Sequence, residues 1–190
     1  PWELQYGPDN RFWMSEKDGK ITRIDTSGSN KTTVYTASDY YGGTKSYSAI
    51  GCGNYRVGTF GLALHPDFLS NGYIYYVYTY EVGATVKAKV RRITVNVGTG
   101  IFVNGSEIDI ITNIPMGNDH EGLRLMAVKK NGISNLYLTV GDNGVSETNT
   151  PACFSPQSNN PNNKAKDLTT MNGKIHKFNM DGTIPSDNPL

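Results

Sequence analysis

The sequence predicts an all-β fold: a β-propeller built of four-stranded antiparallel blades, with about three blades carried by residues 1–190. Three observations point there. The composition favours turns and strands, with 21 glycines, 12 tyrosines and only 18% charged residues. A unit about 60 residues long recurs three times, and no stretch sustains a 3.6-residue apolar period. A four-stranded unit repeating at that interval reads as a propeller blade; the strands of an ordinary β-sandwich, the runner-up, would not be expected to keep such a register twice.

The elements follow in order. "YGPDNRFWMSE" (6–16), "LHPDFLSNGYIYYVYTY" (64–80) and "VKKNGISNLYLTVGD" (128–142) each join a turn-rich lead to an aromatic strand. Trp13, Tyr75 and Tyr137 fall in register, 62 residues apart each time. A strand follows each, "GKITRID" (19–25), "KVRRITVNV" (89–97) and "GKIHKFNMDG" (173–182), and the first two units add "KTTVYTA" (31–37) and "EIDIITNI" (107–114). Strands also precede the aromatic ones at 59–65 and 122–128, so each unit reads a-b-c-d with Gly, Asn and Asp turns between strands. The blades are expected at about 1–37, 59–114 and 122–182 of one incomplete propeller domain, the third lacking its last strand, with the remainder of the ring expected from the same polypeptide or from another chain. "NNKAKDLTTM" (162–171) is a candidate for a short helical turn.

Several function classes recede. The net charge is +1 with no basic block or stripe, which argues against nucleic acid as a partner. No apolar stretch approaches the roughly 20 residues of a membrane span. The chain starts at "PWELQYG" without Met or an apolar leader, so any signal peptide is expected to have been removed or omitted. Sequons at Asn30 ("NKT") and Asn104 ("NGS") are glycosylation candidates, and together with the two cysteines they lean towards an oxidising, extracellular or periplasmic setting.

Strand parity locates the chemistry. In an up-and-down blade the d-to-a and b-to-c connections share one face. That face receives the loop 38–58 with Cys52 and Arg56, the segment "MGNDHEGLRLMAV" (116–128) with Asp119 and His120, and Asp142 with the long connection after it. Connections of that length are usually functional or disordered. Cys52 and Cys153, two thiols or a disulfide, sit in loops of this face, where a disulfide between neighbouring blades is geometrically reasonable; closing 101 residues would contribute about 4–5 kcal/mol. His120 is either a turn histidine bonded to local backbone or a general base at the mouth. Asp142, ending the adjacent b strand, would fix its tautomer and raise its basicity in the second case. His65 falls at the opposite face and reads as structural, His176 lies within a strand, and the aromatic runs read as packing between blades. "IGCGNYRVGTFG" lacks the strand–loop–helix context of a phosphate loop.

"YGPDNRFWMSEKDGKITRID", "GLALHPDFLSNGYIYYVYTY", "NDHEGLRL", "LYLTVGDNG" and "NGKIHKFNMDGTIPSDNP" occur in the order seen in soluble quinoprotein glucose dehydrogenases, and the chain resembles that glucose/sorbosone dehydrogenase family over nearly its whole length. The resemblance implies a six-bladed propeller with pyrroloquinoline quinone (PQQ) held on calcium at the mouth and an aldose sugar above it. It implies that His120 takes the proton of the sugar C1 hydroxyl while hydride passes to the quinone, giving a lactone. Asp142 would support His120, Asp119 would contact the sugar, and Glu147 would stand in for a substrate-side glutamine. An electron acceptor is implied as a further partner. The sequence departs from the family at Arg56, where Gln or Glu is usual two residues before the glycine; an arginine there can pair with the anionic quinone but cannot act as a base. No metal ligand is assigned, because the family's calcium-binding backbone belongs to later blades, beyond Leu190. The competing reading is a non-catalytic secreted propeller that keeps the scaffold and binds through its loop face.

Overall fold

The computed structural model describes residues 1–47, 53–143 and 165–188. Among the described residues eleven strands form three antiparallel sheets. The first sheet is β1 (Glu3–Tyr6), β2 (Arg11–Glu16), β3 (Lys20–Asp25) and β4 (Thr32–Thr36) in sequence order. The second is β5 (Thr59–Leu64), β6 (Tyr73–Val82), β7 (Thr85–Thr94) and β8 (Ile108–Pro115), with the single-turn helix α1 (Phe68–Asn71) between β5 and β6. The third, among the described residues, is β9 (Gly122–Lys130), β10 (Ile133–Val140) and β11 (Lys174–Asn179). This is the all-β, four-stranded propeller pattern. Its tight hairpins are written in the chain: Asn131–Gly132 is a two-residue turn with both φ positive, as the strand twist demands, and Asp18–Gly19, also both positive, end the three-residue connection 17–19.

The 62-residue register is physical. Trp13 pairs with Gln5 and Arg23, Tyr75 with Ala63 and Arg92, and Tyr137 with Met126 and Lys177, so all three occupy the same place on the second strand of a sheet. Each also faces a basic residue on the third strand. Trp13 is buried against the second sheet with Leu62, Leu64, Phe68 and Ile74, its Nε1 donating to Asp9 at 3.1 Å. Tyr75 is buried on the opposite side of the second sheet, with Leu123, Leu125, Leu136 and Leu138 of the third. In β6, Ile74, Tyr76 and Tyr78 therefore face the first sheet while Tyr75 and Val77 face the third, and that strand is apolar on both faces. Each such side chain contributes about 1.5–3 kcal/mol by leaving water.

Charges close the outer part of the same interface. Lys89 Nζ is buried between Asp39 at 2.5 Å and Asp109 at 2.8 Å, 4.2 Å from the Tyr80 ring centroid, and Arg91 bonds both carboxylates.

Three details differ from the sequence expectation. β6 runs on to Val82 and β7 starts at Thr85, because Gly83 at φ 56 turns the chain in two residues. The "HPDFLSN" lead forms α1, closed by left-handed Gly72, whose N–H bonds Phe68 O at 2.8 Å. β1 supplies the inner strand of the first sheet; it is short and half-exposed, which left it without a clear apolar signal. Of the helical turn expected at 162–171, residues 165–166 form a short 3₁₀ turn within the described part.

Candidate active site at the mouth of the blades

Antiparallel geometry brings the described parts of three connections to one face: residues 37–47 and 53–58 after β4, 116–121 after β8 and 141–143 after β10. They are tied to each other directly. Arg56 N donates to Gly117 O and Arg56 Nε to Asn118 O, both at 2.9 Å, so the guanidinium of the first connection grips the backbone of the second. Tyr47 and Tyr55 pack edge to face at 5.1 Å beside it.

The 116–121 connection is folded by its own side chains. Gly117 N donates to the Glu121 carboxyl at 3.0 and 3.2 Å, and His120 N donates to Asp119 Oδ1 at 3.0 Å. His120, Gly122 and Leu123 all have positive φ (54, 68 and 60°). Such backbone costs of order 1–3 kcal/mol per non-glycine residue and persists only where neighbours dictate it. Here Glu121 O accepts from Gly141 N at 2.8 Å, and Gly141 lies so close that a Cβ there would sit 1.4 Å from His120 O. The start of β9 is thereby pressed against the end of β10.

That contact aligns the pair expected from parity. His120 Nδ1 lies 3.1 Å from Asp142 Oδ1. A carboxylate only accepts, so the proton belongs on Nδ1 and Nε2 keeps its lone pair. Beneath the pair, the Glu121 carboxyl accepts from Asn143 Nδ2, and Asn172 Nδ2 donates to Asn143 Oδ1 and to Asp142 O at 3.4 Å. Glu121, Asn143 and Asn172 are all buried. Burial pushes the Glu121 carboxyl up to about 8, and Asp119 adds to the rise, while Gly117 N–H, the Asn143 amide and the Arg56 charge oppose it.

Arg56, Asp119, His120 and Glu121 line one cleft of about 420 Å³ together with Trp2, Val57, Phe60 and Gly122. Trp2 stands edge-on to Phe60 at 5.1 Å and leaves much of its indole exposed. Sequence reasoning brought out His120, Asp142, Asp119 and Arg56, and the structure gathers them. It missed Glu121 and Asn143, whose only signal was adjacency to Asp119–His120 and to Asp142, and it missed Trp2. Glu147, Cys52 and Cys153 lie outside the described residues. His65 holds the turn before α1, its Nδ1 2.9 Å from both Asp67 N and Asn71 Nδ2. His176 Nε2 is 2.8 Å from Met171 O. Asn30 and Asn104 are exposed in connections on the opposite face.

The donor set answers to the expected groups unevenly. Among the described residues no cluster of three or more His, Cys, Asp and Glu side chains converges as a metal site. The cleft offers, among these residues, one cation, the Arg56 guanidinium, and one exposed indole, that of Trp2, whose edge-on partner Phe60 is buried in the core. Among the described residues no helix is long and apolar enough to cross a membrane.

Comparison with known proteins gives one consistent result. The family model described as Glucose / Sorbosone dehydrogenase matches residues 1–190. Quinoprotein glucose dehydrogenase B of Acinetobacter calcoaceticus is 29% identical over 199 residues, covering 100% of this chain and 39% of the relative. Two solved structures share the fold: the PQQ-bound aldose sugar dehydrogenase of Streptomyces coelicolor (TM-score 0.72, 21% identity, 100% of this chain and 47% of that one) and the soluble aldose sugar dehydrogenase of Escherichia coli in its apo form (TM-score 0.67, 21% identity, 100% and 46%). The chain thus spans less than half the length of these relatives. With a family model matched from the first residue to the last and a propeller arrangement to accompany it, the chain belongs to the glucose/sorbosone dehydrogenase family.

Proposed function

We propose that the protein is a PQQ-dependent aldose sugar dehydrogenase that oxidises the sugar C1 hydroxyl to a lactone, with His120 as the general base. The observation that carries this reading is the His120–Asp142 contact at 3.1 Å, set in a cleft that also holds Arg56, Asp119 and Trp2. PQQ, when bound, supplies the two-electron acceptor that the C1 hydride needs. The chain's own residues do the rest. His120 Nε2 takes the hydroxyl proton as C1–H leaves with its electron pair. Asp142 holds the ring in the tautomer that makes this possible and stabilises the imidazolium that results. Asp119 is the sugar-side acceptor, and Glu147 is read as a second. Arg56 would hold a carboxylate of the cofactor, and the exposed indole of Trp2, backed by buried Phe60, would lie against its plane. Calcium would be held by other parts of the full-length protein. We place the protein outside the cytoplasm, supported by the exposed sequons at Asn30 and Asn104, and propose that Cys52 and Cys153 form a disulfide there and that an electron acceptor is the redox partner.

The test uses the full-length protein reconstituted with PQQ and calcium. His120→Ala should lower turnover by about 10²–10⁴, the usual contribution of a positioned general base, with a far smaller change in sugar binding. A wild type that neither binds PQQ nor oxidises any aldose would sink the reading in favour of a non-catalytic propeller.

A further inference from the structure

We infer that Glu121 is the positioning residue of the His120–Asp142 pair, holding both partners from beneath through Gly117 and Asn143. The inference rests on the reading of His120 as the base for its catalytic meaning, and on geometry alone for its positioning content.

One buried side chain bonds both of the segments that carry the pair. Its carboxyl accepts from Gly117 N, the first residue of the turn that presents Asp119 and His120. The same carboxyl accepts from Asn143 Nδ2, on the residue after Asp142. The Glu121 main-chain oxygen accepts from Gly141 N, on the residue before Asp142. His120 and Asn143 both take left-handed backbone, at φ 54 and 58°, although neither is glycine. Asn143 in turn is held by Asn172, which also bonds the Asp142 carbonyl. The charged and titratable groups near the Glu121 carboxyl are Asp119, Arg56 and Tyr47. His120 and Asp142 are themselves partly exposed, so their alignment needs a support that water does not reach. Glu121 is that support.

The experiment reads the ring nitrogens of His120 by ¹⁵N NMR in full-length protein without cofactor, alongside turnover of the reconstituted enzyme. The wild type should show Nδ1 protonated in the neutral form. Glu121→Gln keeps an acceptor for Gly117 N and Asn143 Nδ2 and should keep that tautomer. Glu121→Ala should shift His120 towards the Nε2-protonated form and lower kcat by up to about 10²-fold, with KM nearly unchanged, since misplacement of a reacting group by about 1 Å has that effect. Asn143→Gly preserves the positive φ while removing the amide, and should move the tautomer in the same direction even if Glu121→Ala does not fold. A wild-type tautomer in either Glu121→Ala or Asn143→Gly overturns the positioning role whatever the activity. A shifted tautomer with an inactive wild type upholds the positioning role and overturns the dehydrogenase reading instead.

Discussion

Replacing Gly141 by alanine tests whether the end of β10 and the start of β9 set the site. A Cβ at that position would lie 1.4 Å from His120 O, 2.5 Å from His120 C and 2.9 Å from Glu121 C. All three are backbone atoms, so no rotamer change relieves the clash. Real Cβ contacts essentially never fall below 3.0 Å, so the two segments must part by about 1.6 Å. The Gly141 N–Glu121 O bond, now 2.8 Å, and the His120–Asp142 contact, now 3.1 Å, would both be lost if they followed. Overpacking costs about 1–3 kcal/mol and the lost backbone bond about 0.5–1.5, giving an expected destabilisation of about 2–4 kcal/mol. Turnover should fall by about 10²-fold. The assay is urea unfolding of full-length wild type, Gly141→Ala and a control, Gly58→Ala, whose Cβ would meet nothing nearer than 3.6 Å. Gly58→Ala should match the wild type or slightly exceed it. A Gly141→Ala protein within about 0.5 kcal/mol of wild type would refute the claim that this approach is tight, since changes of that size are ordinary for surface positions.

Other outcomes follow from the packing and the charges. Trp13→Ala removes a fully buried indole together with its bond to Asp9 and should cost about 3–5 kcal/mol in the same unfolding assay. Lys89→Met should cost about 2 kcal/mol, less than a wholly buried pair because Asp39 and Asp109 keep some water. Burial raises both of these carboxyls, but hydrogen bonds from Lys89 with the Arg91 charge outweigh it and hold them below their ordinary range. Their stabilisation is therefore present above the unfolded value of about 4 and lost as pH falls through the folded values, and Lys89→Met should unfold at a higher pH on acidification. Glu121 has the opposite sign: its folded value of about 8 stands above the ordinary 4.5, so the wild type loses stability as pH rises from 4.5 to 8. Glu121→Gln should gain on the wild type across that window, measured by unfolding at pH 5 and 8.5; a constant difference would contradict the buried acid.

What the chain revealed and what it hid divide along physical lines. Hairpins with Asp-Gly and Asn-Gly turns were readable because two residues suffice to specify them. So was the recurrence of Trp13, Tyr75 and Tyr137, since a large ring in the middle of a sheet survives as a pattern. Strand direction put His120 and Asp142 on one face and left a turn histidine as the alternative; the 3.1 Å contact is what the structure adds. By contrast, α1 depends on Gly72 accepting a left-handed turn after a segment with no helical period. The burial of Glu121 depends on a backbone approach between two strands, to which no local pattern of charge or hydropathy corresponds. Arg56 was visible as a cation at the mouth, but its grip on the Asn118 carbonyl joins residues 62 positions apart and has no local cue.

Gly83 and Ala84 stand at the same topological position in the second sheet as residues 141–173 do in the third. Two residues and thirty-three are thus equivalent solutions to one connection, with the strands on either side unchanged in kind. Loop closure explains the tolerance, because each doubling of a flexible loop adds only about 0.6 kcal/mol. Gly83 has nothing within 4 Å of where a side chain would begin. This architecture therefore separates what must be kept from what is free to vary: a new recognition segment grafted between Val82 and Thr85 would meet ligands at the rim of the same cleft face while the sheets beneath continue to hold their shape.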